Sequence, residues 1–320
     1  MKKKALIIGH SGQDGFYLRT HLQSLSYEVY GVSSSSVFAS DGTSIPEGKI
    51  ESSEYVKQLL LHVQPDEIYF LAALHQSSIE QNHSDLSFYE ATIQTNAIAW
   101  LYVLEAAWQN HANARLFFAS SSHVFGATTA KIQNELTPYA PVSIYGISKV
   151  LGMQFSEMYR KKGLACYSGI FYNHESPLRA AKFVSKKIVQ TAVAIKLGKA
   201  NELVLGDLSA QIDWGYAPDY VQAAHKLLQS DQPGDYIISS GKLHTVRNFV
   251  DLVFNALSLN PDEYVKVNQD LIQKISTTVL QGDHQQLKSV TGWEPSVSFE
   301  AMVNLLVEAE LNAQAQSLNL

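Results

Sequence analysis

Four side chains carry the chemistry of this chain: Ser121, His123, Tyr145 and Lys149. Tyr145 and Lys149 lie four residues apart, so a helix places them on one face. An ammonium beside a phenol stabilises the phenolate and lowers its pKa, making the tyrosine a usable acid/base near neutrality. Of 16 tyrosines, Tyr145 alone is followed by a lysine at that spacing; the bland alternative is an exposed helix pair. Ser121 adds a hydroxyl able to share a hydrogen bond with a substrate oxygen. His123 titrates near neutrality and either moves protons or fills the pocket floor.

These groups need a scaffold, and the hydrophobic pattern supplies one. Lys4–Ile8, Glu28–Val32, Glu67–Leu71, Leu116–Ser120 and Leu164–Phe171 read as buried strands. Gly12–Leu25, Tyr55–Val63, Ile98–Trp108 and Ile144–Lys161 show helical periodicity between them. The alternation predicts an α/β fold, a doubly wound parallel sheet with helices on both faces, whose strand C-termini line the ligand crevice. After Phe171 it loosens. Helices are predicted at Ala180–Leu197, Val246–Ala256 and Glu300–Leu311. Residues 1–172 read as a dinucleotide-binding domain with a return segment at 214–240, and 173–213 with 241–320 as a smaller substrate-binding α/β cap.

Gly9, Gly12 and Gly15 follow the first strand in a G-x-x-G-x-x-G spacing. Such glycines allow a tight turn and a close approach of a pyrophosphate to the helix N-terminus, where free N–H groups and the dipole hold it. At the end of the second strand stand Ser33, Ser34, Ser35 and Ser36, with neither an acid for ribose hydroxyls nor an arginine for a 2′-phosphate. The absence of an acid tilts the choice between NAD and NADP slightly towards NADP.

The 320 residues are 46% hydrophobic and carry a net charge of −6, numbers that exclude a general nucleic-acid binder. The apolar run Ala5–Ile8 is too short for a membrane span. One cysteine, Cys166, excludes an internal disulfide and any cysteine-based metal site, reads as a small core residue, and fits a reducing cytoplasm.

Gly12-Gln-Asp-Gly15, Asp66-Glu-Ile-Tyr-Phe-Leu-Ala72, Ser143-Ile-Tyr-Gly-Ile-Ser-Lys149, Asn173-His-Glu-Ser-Pro177, Asp213-Trp-Gly215 and Leu280-Gln-Gly-Asp283 together resemble the extended short-chain dehydrogenase/reductases, and within them the GDP-mannose 4,6-dehydratase family. The resemblance implies a GDP-sugar or other nucleotide-sugar substrate and a tightly held nicotinamide cofactor. It puts Gly9, Gly12, Gln13, Asp14, Gly15, Ser34, Ser35, Leu71, Ala72, Tyr145 and Lys149 at the cofactor, and Ser122, Asn173, Arg179 and Lys187 at the substrate. It also implies a homodimer paired through helices such as Ile98–Trp108 and Ile144–Lys161.

Several family positions differ. The glutamate that serves dehydration is His123 here. Arginines expected at the nucleotide and after the second strand are replaced by Ile212, Gln273 and serines, a glutamate by Ser276, and the acid after the third strand by Lys49. The serines also weaken a tetramer built through that loop. Three readings follow: a 4,6-dehydratase using His123; a 4-ketoreductase, dehydrogenase or epimerase that needs only Ser121, Tyr145 and Lys149; and a non-catalytic binding protein on the same fold. The long match places the dehydratase first.

Overall fold

The computed structural model describes residues 2–75, 86–271 and 279–318. Its strands are β1 (Lys4–Ile8), β2 (Glu28–Val32), β3 (Val37–Ala39), β4 (Glu67–Phe70), β5 (Arg115–Ser121), β6 (Ala165–Phe171), β7 (Asn173–Glu175), β8 (Leu203–Leu205), β9 (Gln211–Tyr216), β10 (Asp235–Ile238), β11 (Leu243–Thr245) and β12 (Val265–Val267). The helices are α1 (Gln13–Ser24), α2 (Ser53–Val63), α3 (Leu86–Ile93), α4 (Ala99–Asn110), α5 (Ile144–Arg160), α6 (Val184–Lys196), α7 (Ala217–Gln229), α8 (Val246–Ala256), α9 (Pro261–Tyr264), α10 (Gln285–Thr291) and α11 (Phe299–Leu318). A π-turn, Gln94–Ile98, joins α3 to α4.

Seven strands form the central sheet in the order β10-β6-β5-β4-β1-β2-β3. The sheet is parallel except at β3, which pairs antiparallel with β2. Helices cover both faces, so the strands are continuous apolar runs rather than alternating ones: Ala5, Leu6, Ile7 and Ile8 are all fully buried. The expected doubly wound sheet is observed, with one antiparallel edge strand that its three-residue length had hidden. At the N-terminal edge, the buried Glu67 accepts hydrogen bonds from Tyr69 Oη at 2.7 Å, Tyr27 Oη at 3.0 Å, Gln229 Nε2 at 3.0 Å and Lys3 Nζ at 3.1 Å. Four donors satisfy a carboxylate that would otherwise be costly to bury.

A second hydrophobic core lies outside the sheet. It joins α6, α8 and α11 around Trp214, Phe249 and Phe299. The three-stranded sheet β11-β9-β7 runs beside it. Thr245 starts α8 with a capping box shared with Asn248, which satisfies two backbone donors reciprocally. No helix among the described residues is long and apolar enough to cross a membrane.

The element that matters most to the site is α5. It crosses β5 at Gly152, where an added Cβ would lie 2.2 Å from Phe118 Cζ. Phe118 cannot retreat, because its ring stacks on Trp100 and Phe70 in the sealed core. Gly152→Val should therefore overpack this contact and destabilise the fold by about 2–3 kcal/mol, overriding any helix-propensity gain. Urea unfolding measures this, and unchanged stability would contradict so tight a crossing.

Candidate active site

The glycine loop ends β1 and opens α1. Gly9 takes φ +99°, and a Cβ there would lie 2.7 Å from Ala72 N, so the loop rests directly on the backbone after β4. Gly12 is the N-cap and offers no side-chain cap, which leaves the first N–H groups of α1 free for an anion. A bare loop, a helix N-terminus and adjacent strand ends fit a dinucleotide pyrophosphate.

Gln13 and Asp14 do more than extend the helix. His174 Nε2 lies 3.0 Å and 3.1 Å from the two carboxylate oxygens of Asp14, and His174 Nδ1 donates to Tyr172 O at 2.7 Å. Ser176 Oγ donates to Gln13 Oε1 at 2.8 Å, and Gln13 Nε2 to His174 O at 3.3 Å. The Asn173-His-Glu-Ser-Pro177 segment is thus latched onto the glycine loop. Both nitrogens of His174 face acceptors, the arrangement of an imidazolium. Burial opposes charge on both partners, yet their attraction and hydrogen bonds prevail, so Asp14 falls below the usual carboxylate value and His174 rises above the usual imidazole value.

β5 delivers Ser121 at its end, and a single 3₁₀ turn (Ser122–Val124) follows. Ser121 Oγ accepts from His123 N at 3.3 Å, and the Ser121 hydroxyl hydrogen-bonds the phenol of Tyr145. Ser143 caps α5 by accepting from Gly146 N at 3.1 Å. Gly146 lets this first turn press on His123, since a Cβ there would lie 2.6 Å from His123 O. The ring centroids of His123 and Tyr145 are 5.6 Å apart. His123 is exposed at the cleft floor, and the protein massed around it lowers its pKa below the usual 6.5.

Ser121, His123, Tyr145 and Lys149 therefore meet, but the expected tuning of Tyr145 is absent. Lys149 is buried with its Nζ donating to Ala119 O at 2.7 Å. Burial brings its pKa down to about 7. Burial pushes the Tyr145 phenol up to about 12, with the Ser121 hydrogen bond only partly opposing it. The i,i+4 spacing placed the ammonium correctly on the helix face; the carbonyl of β5, rather than the phenol, holds it.

Two site residues gave no motif signal. His75 follows β4, and its ring meets Tyr145 edge-on at 4.5 Å and His123 at 5.9 Å while stacking on Phe183 at 5.9 Å. Burial and then the positive charge of neighbouring groups bring its pKa to about 3, so it is neutral at physiological pH. Asn96, in the π-turn, positions it: Asn96 Oδ1 accepts from Leu74 N at 2.7 Å, and Nδ2 donates to Leu74 O at 3.1 Å and Ser148 Oγ at 3.0 Å.

The other candidate residues are more dispersed. Leu71 and Ala72 border the glycine loop. Ser34 and Ser35 are exposed, as is Asn173, whereas Ser122 is buried. The Arg179 guanidinium lies 3.5 Å over the Phe183 ring, with Nε 3.2 Å from Glu175 Oε2. Lys187 Nζ donates to Val204 O at 2.8 Å. Asp213 accepts from Ser240 N at 2.9 Å and Gly282 N at 3.1 Å, joining two of the quoted motifs as a structural knot. Gln273 and Ser276 lie outside the described residues.

Comparison with known proteins decides the family. The profile described as GDP-mannose 4,6 dehydratase matches residues 6–306. The chain belongs to the GDP-mannose 4,6-dehydratase family. It is similar to GDP-mannose 4,6 dehydratase 2 of Arabidopsis thaliana, 34% identical over 97% of this chain and 87% of the plant protein. In fold it is similar to RMD from Pseudomonas aeruginosa complexed with NADPH, with TM-score 0.81, 18% identity, and coverage of 98% and 100%. It is also similar to dTDP-glucose 4,6-dehydratase from Bacillus anthracis in complex with NAD, with TM-score 0.80, 19% identity, and coverage of 98% of both chains.

The latch of this family member has a pH signature. Asp14, with its lowered pKa, contributes stability present above its unfolded value of 3.8 and lost as pH falls through the folded value. His174, with its raised pKa, contributes stability complete below 6.5 and lost as pH rises through the folded value. Asp14→Asn should cost roughly 2–4 kcal/mol, somewhat under the figure for a fully buried pair. The gap should be widest between the two unfolded values and narrow on either side. Denaturant midpoints across pH check this, and a gap independent of pH would contradict the ion pair.

Proposed function

We propose that this chain is a nucleotide-sugar 4,6-dehydratase of the GDP-mannose type, in which the imidazole of His123 performs the second acid/base step. The observation that carries the reading is the convergence of Ser121, His123 and Tyr145 at the C-terminal edge of β5, within one crevice with the glycine loop. The family membership supports a GDP-sugar substrate. The hydroxyl-rich, acid-free turn after β2 supports NADP over NAD. Exposed apolar side chains on α5 and its neighbours, among them Ile147, Met158 and Trp108, support a homodimer.

A bound nicotinamide would supply the acceptor for the hydride from C4 and its later donor to C6, and its positive charge would lower the phenol pKa. Gly9, Gly12, Gln13, Leu71, Ala72 and Lys149 would hold it. Tyr145 takes the proton of the C4 hydroxyl as that carbon is oxidised, and Ser121 fixes the phenol and the hydroxyl together. The 4-keto group acidifies the C5 proton. His123, whose pKa the protein massed around it holds below the usual imidazole value, removes that proton and returns one to the C6 hydroxyl, which leaves as water. His75 forms an uncharged wall that does not compete for the proton.

In D2O the protein should convert GDP-mannose to a 4-keto-6-deoxy product carrying deuterium at C5, without net consumption of cofactor. His123→Ala should slow elimination by roughly 10²- to 10⁴-fold, and Tyr145→Phe should abolish hydride transfer; both are followed by NMR and mass spectrometry. Stoichiometric cofactor turnover to a 4-ketosugar without water loss would instead establish the redox-only alternative, to which the missing carboxylate gives some support. Absence of both reactions and of nucleotide binding would leave a non-catalytic protein.

A further inference from the structure

The turn after β2 is wound on itself. Ser33 N donates to Ser36 O at 2.9 Å, and Ser33 Oγ accepts from Ser36 N at 3.1 Å and Ser35 N at 3.4 Å. The Ser33 hydroxyl is thereby used up, while Ser34 projects exposed and makes no hydrogen bond among the described residues. His10, from the glycine loop, closes one side. Its Nε2 lies 3.1 Å from both Ser36 O and Ser36 Oγ, and its ring stacks on Phe38 of β3. Gly31 makes this possible, since a Cβ there would lie 2.6 Å from His10 Cγ.

The sequence places no cation in this turn, but the fold brings one to it. Arg19 leaves α1 and lays its guanidinium 4.5 Å over the Phe38 ring and 5.4 Å from that of Phe16. It has neither a hydrogen bond nor a carboxylate partner among the described residues. The acid of the β2–β3 hairpin, Asp41, is engaged elsewhere, accepting from Tyr30 Oη at 2.8 Å and Thr43 Oγ1 at 2.7 Å. A guanidinium held flat on an aromatic ring keeps its edge donors free for a bidentate oxyanion. We propose that Arg19, with the Ser33–Ser36 turn and His10, binds a phosphate monoester on the 2′-oxygen of the adenine-side ribose. This rests on the dinucleotide reading above and names the residue that carries its 2′-phosphate preference. Burial lowers the His10 pKa, so the positive charge of the pocket belongs to Arg19.

Calorimetric titration of the full chain with adenosine 2′,5′-bisphosphate and with AMP tests the proposal without any turnover. The wild type should bind the bisphosphate at least about ten-fold tighter than AMP, and increasing salt should erode that preference. Arg19→Gln should weaken the bisphosphate by roughly ten- to a hundred-fold, the scale of one charge-assisted contact, and leave AMP within about two-fold. Arg19→Lys should recover part of the loss. Unchanged bisphosphate affinity in Arg19→Gln, or an equal loss for both ligands, would overturn the proposal. Binding of neither ligand by the wild type would overturn the dinucleotide reading itself, and the proposal with it.

Discussion

The close crossing of α5 over β5 is the constraint on which the site depends. Gly152 lets the helix sit on the Phe118 ring, and this contact carries Lys149 into the core and sets Tyr145 beside the end of β5. Burying an ammonium is expensive, and the carbonyl of Ala119 offsets only part of that cost. Burial consequently brings the Lys149 ammonium down to about 7 and pushes the Tyr145 phenol up to about 12. The pair is held in position but is not charged for catalysis by its own proximity. Under the proposed function, a positive group arriving beside the phenol would complete what the fold prepares and tie acid/base competence to cofactor binding.

The crevice is otherwise arranged so that its charges are already matched. Asp14 at the head of α1 would repel a pyrophosphate, but His174 neutralises it and ties the glycine loop to the β7 segment. Glu175 is bonded by Ser185 Oγ at 2.6 Å and faces Arg179. What remains near Tyr145 is a pair of imidazoles: His75, driven to the neutral form by burial and its positive neighbours, and the exposed His123, biased the same way by the protein massed around it. Under the proposed function His123 stands in for a carboxylate as a base of different reach, while His75 stays out of the proton transfer.

Much of this was legible in the chain itself. Five apolar runs separated by helical periodicity announced the doubly wound sheet, because parallel strands buried on both faces cannot alternate. Tyr145 and Lys149 announced themselves by spacing, and the glycines by their place after β1. The three-residue strands β3, β7, β8, β11 and β12 were silent, since so short a segment has no periodicity to read. His75, Asn96 and Arg19 were silent for another reason: each reaches its position through tertiary packing, across α5 or over Phe38, and no local pattern encodes that. Spacing also misjudged Tyr145, because it reports which face a charge occupies and nothing about burial.

In the proposed function His123 is the base at C5. Supplying the 4-keto-6-deoxy product and following solvent deuterium exchange at C5 by NMR isolates that step from hydride transfer. Between about pH 5 and 9 the exchange should be level on the alkaline side and fall on the acid side as the imidazole protonates, with its midpoint below the ordinary histidine value. His123→Ala should remove the exchange, whereas Tyr145→Phe should preserve it. Exchange at the wild-type rate in His123→Ala, or a rate indifferent to pH, would contradict the assignment.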